Sequence, residues 1–214
     1  MTKGLSVTIS EELWSNNKEL ACSSLNSTFI KGLLRGDLPV ENFQDYIAQD
    51  SFFLEAFARA YGMAIAKSPD KVSITILSKM LSGVIEELKL HDSYSKEWNV
   101  DLKNYSINST TKAYTDFLGK ITISGSMAEI ISAMTPCMRL YSWLGQSLNS
   151  KKKCFKNPYQ DWINTYSDKS FEMLALSLEK LINSYYKKNE LKNIRTLYKK
   201  AMQLEFNFFE AYSP

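Results

Sequence analysis

The chain has 214 residues, of which 44% are hydrophobic and 23% charged, a composition typical of a globular protein that buries one core. Its formal net charge of +3 is too small to indicate a nucleic-acid-binding protein, and no apolar run reaches the roughly 18 residues of a membrane span. We therefore expect one domain over residues 1–214 that binds neither nucleic acid nor a membrane.

Helical periodicity dominates the sequence, and no run alternates convincingly with the period of a strand. Ser10 and Ser27 are predicted N-caps, and Gly36 is a predicted C-cap. The predicted linker covers residues 99–111. The fold class is therefore all-α, a single-domain helical bundle. The predicted helices cover residues 10–25, 27–35, 40–66, 71–96, 110–123, 125–149, 158–165, 168–187 and 190–211.

Carboxylates lie on the apolar faces of three predicted helices. In the helix over 40–66, steps of three and four residues place Asp50 in line with Phe53, Phe57 and Tyr61. In the helix over 71–96, Glu87 shares a face with His91, four residues on.

In the last helix, Glu205 lies between Ala201 and Phe208 on the apolar face. Buried carboxylates are costly unless they are hydrogen-bonded, so each is either a structural group bonded to a tyrosine or amide, or part of a functional site. Their recurrence on three helices favours a polar pocket in the core, where burial would raise a carboxyl pKa and suit a general acid.

A metal-dependent oxidase is one use of such a pocket, with Asp50, Glu87, His91 and Glu205 as ligands. Di-iron bundles use Glu-x-x-His motifs from two helices. This chain has one histidine, and its spacing from Glu87 is four rather than three. The pattern therefore disfavours a metal site, although the oxidase remains an alternative.

Nucleophilic catalysis is the other use, and it concerns Pro136 and Cys137. Pro136 is the one proline inside a predicted helix, and its ring clashes with the carbonyl of Ser132, so we expect a kink there. Cys137 is either a small buried apolar residue or a nucleophile presented to the pocket. No activating base is evident beside it, and Arg139, two residues on, is expected to point away.

The other two cysteines, Cys22 and Cys154, have no comparable setting and are predicted to be structural or surface residues. Three cysteines without regular spacing indicate neither a disulfide framework nor a zinc site. The first ten residues lack the apolar core of a signal peptide. We therefore expect a cytoplasmic protein with reduced thiols.

Four segments, taken together and in order, resemble the TenA family of aminopyrimidine aminohydrolases, also called thiaminase II. The resemblance spans almost the whole chain and implies a haem-oxygenase-like all-α fold. Cys137 places the chain in the cysteine-containing branch of that family. The segments are "QDSFFL" at 49–54, "AEIISAMTPCMRLYSWLG" at 128–145, "YQDWINTY" at 159–166 and "LEFNFFEAY" at 204–212.

The resemblance also implies roles for individual residues. Cys137 is the nucleophile, Glu205 the acid, and Asp50 the carboxylate that holds the pyrimidine ring. Phe53 stands where the family often has tyrosine, so its ring can stack on substrate but a hydroxyl hydrogen bond is lost. The predicted substrate-binding residues are Tyr114, Tyr141, Tyr166, Phe53, Glu87 and Phe208.

The implied reaction converts 4-amino-5-aminomethyl-2-methylpyrimidine to its hydroxymethyl counterpart and ammonia, a step of thiamin salvage that needs no metal or cofactor. Thiamin itself or a formylated relative are alternative substrates. The resemblance also implies a homotetramer. A non-catalytic pyrimidine-binding protein on the same fold is the third hypothesis.

Overall fold

The computed structural model describes residues 7–98, 100–151 and 156–214, with the side chains of residues 90–97 and 103 outside that description. The predictions for the side chains of His91 and Cys154 therefore fall outside the described residues. In the described part of the chain there are ten α-helices, two short 3-10 helices (Leu102–Asn104 and Lys188–Glu190) and no strand. The α-helices are α1 (Ile9–Asn16), α2 (Lys18–Asn26), α3 (Thr28–Arg35), α4 (Val40–Ala66), α5 (Lys71–Glu97), α6 (Ser109–Ser124), α7 (Met127–Asn149), α8 (Gln160–Ser167), α9 (Lys169–Tyr185) and α10 (Leu191–Ala211).

The single helix predicted over 10–25 is wrong, because the chain forms two helices that meet at Asn17. The buried Asn17 side chain donates from Nδ2 to the carbonyl of Leu13 at 2.8 Å. Its backbone leaves the helical region at φ −115° and ψ 14°. An asparagine that bonds the preceding turn through its side chain competes with the helical ladder, and here it ends α1.

The predicted N-cap at Ser10 is also wrong, since Thr8 caps α1 in a reciprocal capping box with Glu11. Ser10 lies inside the helix and is buried against α9, where its backbone N–H donates to Asn183 Oδ1 at 3.0 Å. Thr8 rather than Ser10 caps the helix because Glu11 follows Thr8 by three residues, the spacing that a capping box requires.

The other predicted helices are confirmed, each with bounds within two residues of those observed. Ser27 caps α3 by accepting from the N–H of Ile30, and Gly36 ends the helix at a left-handed φ of 77°. Asn108 caps α6, so the linker predicted over residues 99–111 ends earlier than expected, at residue 108. In the described chain, no helix is both long and apolar enough to cross a membrane.

Helix α7 lies at the centre of the fold and continues through Pro136 without a break. It packs against α8, α9 and α10, whereas α4 packs against α5 and α6 and also touches α7. Most residues of α7 are buried, and the hydroxyls of Ser132 and Thr135 bond back to the carbonyls of Ala128 and Ile131 within the helix. The contact between α4 and α7 brings Asp50 and Cys137 to one cavity.

Candidate active site

A small cavity of about 30 Å³ lies between α4, α5, α7, α8 and α9. Its wall is mostly aromatic and aliphatic, a lining typical of small-molecule sites. Six of the nine predicted site residues line it: Asp50, Phe53, Glu87, Cys137, Tyr141 and Tyr166.

Glu205 and Tyr114 form a buried pair directly behind Cys137. The Tyr114 hydroxyl donates to Glu205 Oε1 at 2.6 Å, and Glu205 is fully buried. Burial is the main cause that raises the pKa of Glu205 from its ordinary 4.5 to about 8; the hydrogen bond from Tyr114 opposes this rise, and the charge of Asp50 adds to it. Glu205 therefore holds a proton at neutral pH.

The second oxygen of Glu205, Oε2, has no hydrogen-bond partner of normal geometry among the described residues. The Cys137 thiol is nevertheless close enough to lower the pKa of Glu205 through a hydrogen bond. A buried carboxyl oxygen with only a thiol beside it can exchange a proton with that thiol or with a bound ligand.

Burial raises the pKa of the Cys137 thiol well above its ordinary value of 9.0, and the carboxylates of Glu205, Glu87 and Asp50 raise it further. The thiol is therefore protonated in the free protein, and its activation requires a ligand or a proton acceptor. As predicted, Arg139 points away and pairs with Glu172 and Glu179 on α9 at 2.8 and 2.6 Å.

Tyrosine hydroxyls provide the polar part of the opposite wall. Tyr166 donates to Glu87 Oε1 at 2.7 Å, and its ring meets that of Tyr141 edge-on with centroids 4.7 Å apart. The hydroxyl of Tyr141 lies 3.3 Å from that of Tyr46. Gly145 permits this arrangement, because a Cβ there would lie 2.3 Å from the carbonyl carbon of Tyr166.

Phe208, a predicted substrate-binding residue, lies behind the cavity wall. Its ring packs on Phe53 with centroids 5.6 Å apart and also contacts Tyr46 and Tyr212. Phe53 itself is buried between Phe57 and Tyr114 and lines the cavity. Phe208 thus packs behind Phe53 and is not among the residues that line this cavity.

Residues 14–213 match the profile of the TENA/THI-4/PQQC family. The chain belongs to this family. The resemblance seen in the four sequence segments is therefore confirmed, and the TenA fold can be compared with solved structures and curated relatives.

Among curated relatives of this TenA-family chain, the mitochondrial bifunctional TH2 protein of Arabidopsis thaliana is 36% identical over 225 residues. That alignment covers 94% of this chain but only 36% of the length of the TH2 protein. An aminopyrimidine aminohydrolase of Halalkalibacterium halodurans is 27% identical over 193 residues, with 86% of each chain covered.

Solved structures confirm the predicted fold class. A TenA homologue from Pyrococcus furiosus superposes with a TM-score of 0.89 at 23% identity, covering 95% of this chain and 99% of that one. Haem oxygenase-1 from Synechocystis superposes with a TM-score of 0.61 at 14% identity, covering 96% and 92%. The TenA domain is therefore all-α and haem-oxygenase-like.

Several cavity-lining residues of this TenA domain were not predicted: Leu54, Phe57, Tyr61, Val84, Met138 and Phe171. Tyr61 is the polar one, and its position on the same helical face as Asp50 was the only signal in the sequence. Within the described residues, no group of three or more His, Cys, Asp or Glu side chains is arranged to hold a metal ion.

Proposed function

We propose that this chain is an aminopyrimidine aminohydrolase (thiaminase II) that hydrolyses 4-amino-5-aminomethyl-2-methylpyrimidine to the hydroxymethylpyrimidine and ammonia. The observation that carries the proposal is the Cys137 thiol beside the protonated Glu205 at the wall of a cavity that also holds Asp50. Relatives that carry this name and share most of the chain's length support the reaction class.

The three groups fit three atoms of an aminopyrimidine ring. Asp50 accepts a hydrogen bond from the 4-amino group, Glu205 meets the ring nitrogen on the far side, and Cys137 adds to the ring carbon beside that nitrogen. Phe53 and Tyr141 bound the ring in the aromatic wall of the cavity. A dry cavity strengthens each of these polar contacts.

Glu205 converts the protonated Cys137 thiol into a nucleophile by transferring two protons in turn. Its proton passes to the ring nitrogen, which makes the adjacent carbon electrophilic, and the resulting carboxylate takes the proton of the Cys137 thiol. The carbon–sulfur bond forms as the sulfur–hydrogen bond breaks. The net effect is transfer of one proton from sulfur to ring nitrogen through Glu205.

The adduct then expels the amine. Electrons from the 4-amino nitrogen move into the ring and form an exocyclic double bond at the 5-methylene carbon as ammonia leaves from the ammonium form of the substituent. Asp50 stabilises the positive charge that develops on the 4-amino group. Water adds to the exocyclic carbon, and the thiol departs with its proton returned through Glu205.

An ammonia-release assay with the aminomethyl pyrimidine tests this function directly. The wild type is expected to release ammonia, and the Cys137→Ala and Cys137→Ser variants are expected to lose turnover by at least about a thousandfold, as for other covalent nucleophiles. Cys22→Ala is the matched control, because this exposed cysteine is free and lies outside the cavity. Turnover that survives in Cys137→Ser would refute the nucleophile.

We extend the proposal to the setting of the enzyme: a homotetramer in the cytoplasm whose product feeds thiamin synthesis. The family resemblance supports the tetramer, and names of relatives such as "thiamine biosynthesis multifunctional protein ThiED" support the pathway. Light scattering on the purified chain measures its molar mass, and a value near 24.5 kDa, the mass of one chain, would contradict the tetramer. The same assay with thiamin and with a formylated pyrimidine defines the preferred substrate.

A further inference from the structure

A second cavity of about 180 Å³ adjoins the first and has additional walls from Glu86, Thr165 and Leu174. The two cavities share a set of lining residues that we call the neck: Tyr61, Val84, Glu87, Met138 and Phe171. Asp50, Phe53 and Tyr141 line only the inner cavity. The neck therefore lies between the outer cavity and Asp50.

Tyr61 is the neck residue whose polar group stands out. The side chain is fully buried, yet its hydroxyl has no hydrogen-bond partner among the described residues. Leaving such a group unpaired is costly, so its presence calls for an explanation such as an absent ligand. Glu87, the other polar neck residue, already accepts from Tyr166.

The surroundings of the Tyr61 hydroxyl place it near the reacting atoms. Burial and then the charges of Cys137 and Glu87 raise its pKa well above the ordinary 10.0, so the group stays a neutral phenol. A neutral hydroxyl both donates and accepts. The position therefore suits a substituent that is a nitrogen donor in the substrate and an oxygen acceptor in the product.

Resting on the proposed function, we propose that the Tyr61 hydroxyl at the neck is a catalytic residue that hydrogen-bonds the substituent on the 5-methylene carbon. The geometry follows from the inner groups. With the 4-amino group at Asp50 and the attacked carbon at Cys137, the 5-methylene lies beside Cys137, and its amine must leave through the neck. Tyr61 accepts from the departing nitrogen and then donates to the oxygen of the water that replaces it.

Tyr61→Phe removes only the hydroxyl, and Tyr198→Phe is its matched control. Tyr198 on α10 is also buried with an unpartnered hydroxyl, but it lines neither cavity. Both variants are expected to keep the wild-type melting temperature or exceed it, because each removes an unpaired buried polar group. Ammonia release by Tyr61→Phe is expected to fall by about tenfold or more in kcat/KM, whereas Tyr198→Phe retains wild-type activity.

A binding titration in the Cys137→Ala background identifies the atom that Tyr61 contacts. Two probes are compared, the aminomethyl pyrimidine and 4-amino-2,5-dimethylpyrimidine, which lacks the exocyclic nitrogen. Adding Tyr61→Phe is expected to weaken binding of the aminomethyl pyrimidine by about tenfold. It is expected to weaken binding of the dimethylpyrimidine by less than about twofold. Equal weakening of both probes, or of neither, would overturn the proposal, since a merely structural role does not distinguish them.

The outcomes separate this proposal from the function on which it rests. If the wild type releases ammonia and Tyr61→Phe matches Tyr198→Phe, the role of Tyr61 is refuted and the hydrolase stands. If the wild type releases none, the hydrolase is refuted, and the titration alone decides whether Tyr61 recognises the exocyclic nitrogen. If the wild type releases no ammonia and neither probe binds, both proposals are refuted.

Discussion

Glu205 is the residue whose environment differs most from that of an exposed carboxyl. Its carboxyl group is fully buried, accepts from Tyr114 and has a pKa raised to about 8. Between its ordinary 4.5 and about 8, the folded protein holds a proton that the unfolded chain has lost. Folding stability linked to Glu205 is therefore fully present below pH 4.5 and is lost as pH rises through about 8.

Glu205→Gln should remove this pH dependence, because glutamine keeps the shape of the carboxyl and cannot ionise. Melting temperatures measured from pH 5 to pH 9 should fall more steeply for the wild type than for Glu205→Gln, so that the variant gains relative stability toward the alkaline end. Glu210→Gln, on the exposed side of the same helix, is the control and should follow the wild type. Parallel curves for wild type and Glu205→Gln would contradict this prediction, because they would show that Glu205 has the same pKa in the folded and the unfolded protein.

The sequence predicted part of this site for clear physical reasons. Asp50, Glu87 and Glu205 interrupt apolar helix faces, and such interruptions are visible without a structure. The adjacency of Cys137 and Glu205 was not visible in the residues alone, since it depends on how α7 packs against α10. The unpaired hydroxyl of Tyr61 was invisible for the same reason, because a missing partner depends on residues of neighbouring helices.

At the scale of helices, Gly145 sets how closely α7 and the end of α8 approach each other. An added Cβ would lie 2.3 Å from the carbonyl carbon of Tyr166 and 2.5 Å from the nitrogen of Ser167. Both atoms belong to the backbone, so no side-chain rotation relieves the clash. The absence of a side chain at Gly145 therefore allows Tyr166 to lie at the cavity wall, where the Tyr166 hydroxyl donates to Glu87.

Gly145→Ala should destabilise the protein by about 1–3 kcal/mol through overpacking and should also lower ammonia release, because α8 must move away with Tyr166. Gly119→Ala is the matched control in α6, where the new methyl group meets no atom within 4 Å. At position 119 the gain in helix propensity should stabilise the protein by up to about 1 kcal/mol. Urea unfolding measures the free energy of unfolding of both variants. A Gly145→Ala variant as stable as Gly119→Ala would contradict the close approach of α7 to the end of α8.

Helix periodicity predicted nearly all elements because most helices here carry one continuous apolar face. The exception at Asn17 shows where that signal ends. Apolar spacing continues from α1 into α2, and the break comes from a side-chain hydrogen bond to Leu13 that the buried asparagine makes. Pro136 presents the opposite case, since a residue that usually breaks helices lies within the continuous α7.

For the whole molecule, the cavity joins five helices drawn from both halves of the chain, so ligand binding should stabilise all of them together. The prediction of one domain over residues 1–214 has the same consequence. With the hydroxymethyl product at about 100 times its dissociation constant, the expected stabilisation is about 2.7 kcal/mol. For a chain of this size that corresponds to a rise of roughly 5–10 °C in melting temperature.

Scanning calorimetry at one fixed protein concentration measures this effect and should show a single transition that shifts as a unit. Asp50→Asn keeps the volume of the side chain but weakens the acceptor that we propose for the 4-amino group, so its shift should be much smaller than that of the wild type. Two transitions, of which only one responds to the pyrimidine, would contradict the single domain. One transition that rises equally in wild type and Asp50→Asn would instead place the ligand away from Asp50, because a ligand stabilises the fold only through contacts it makes in the native state.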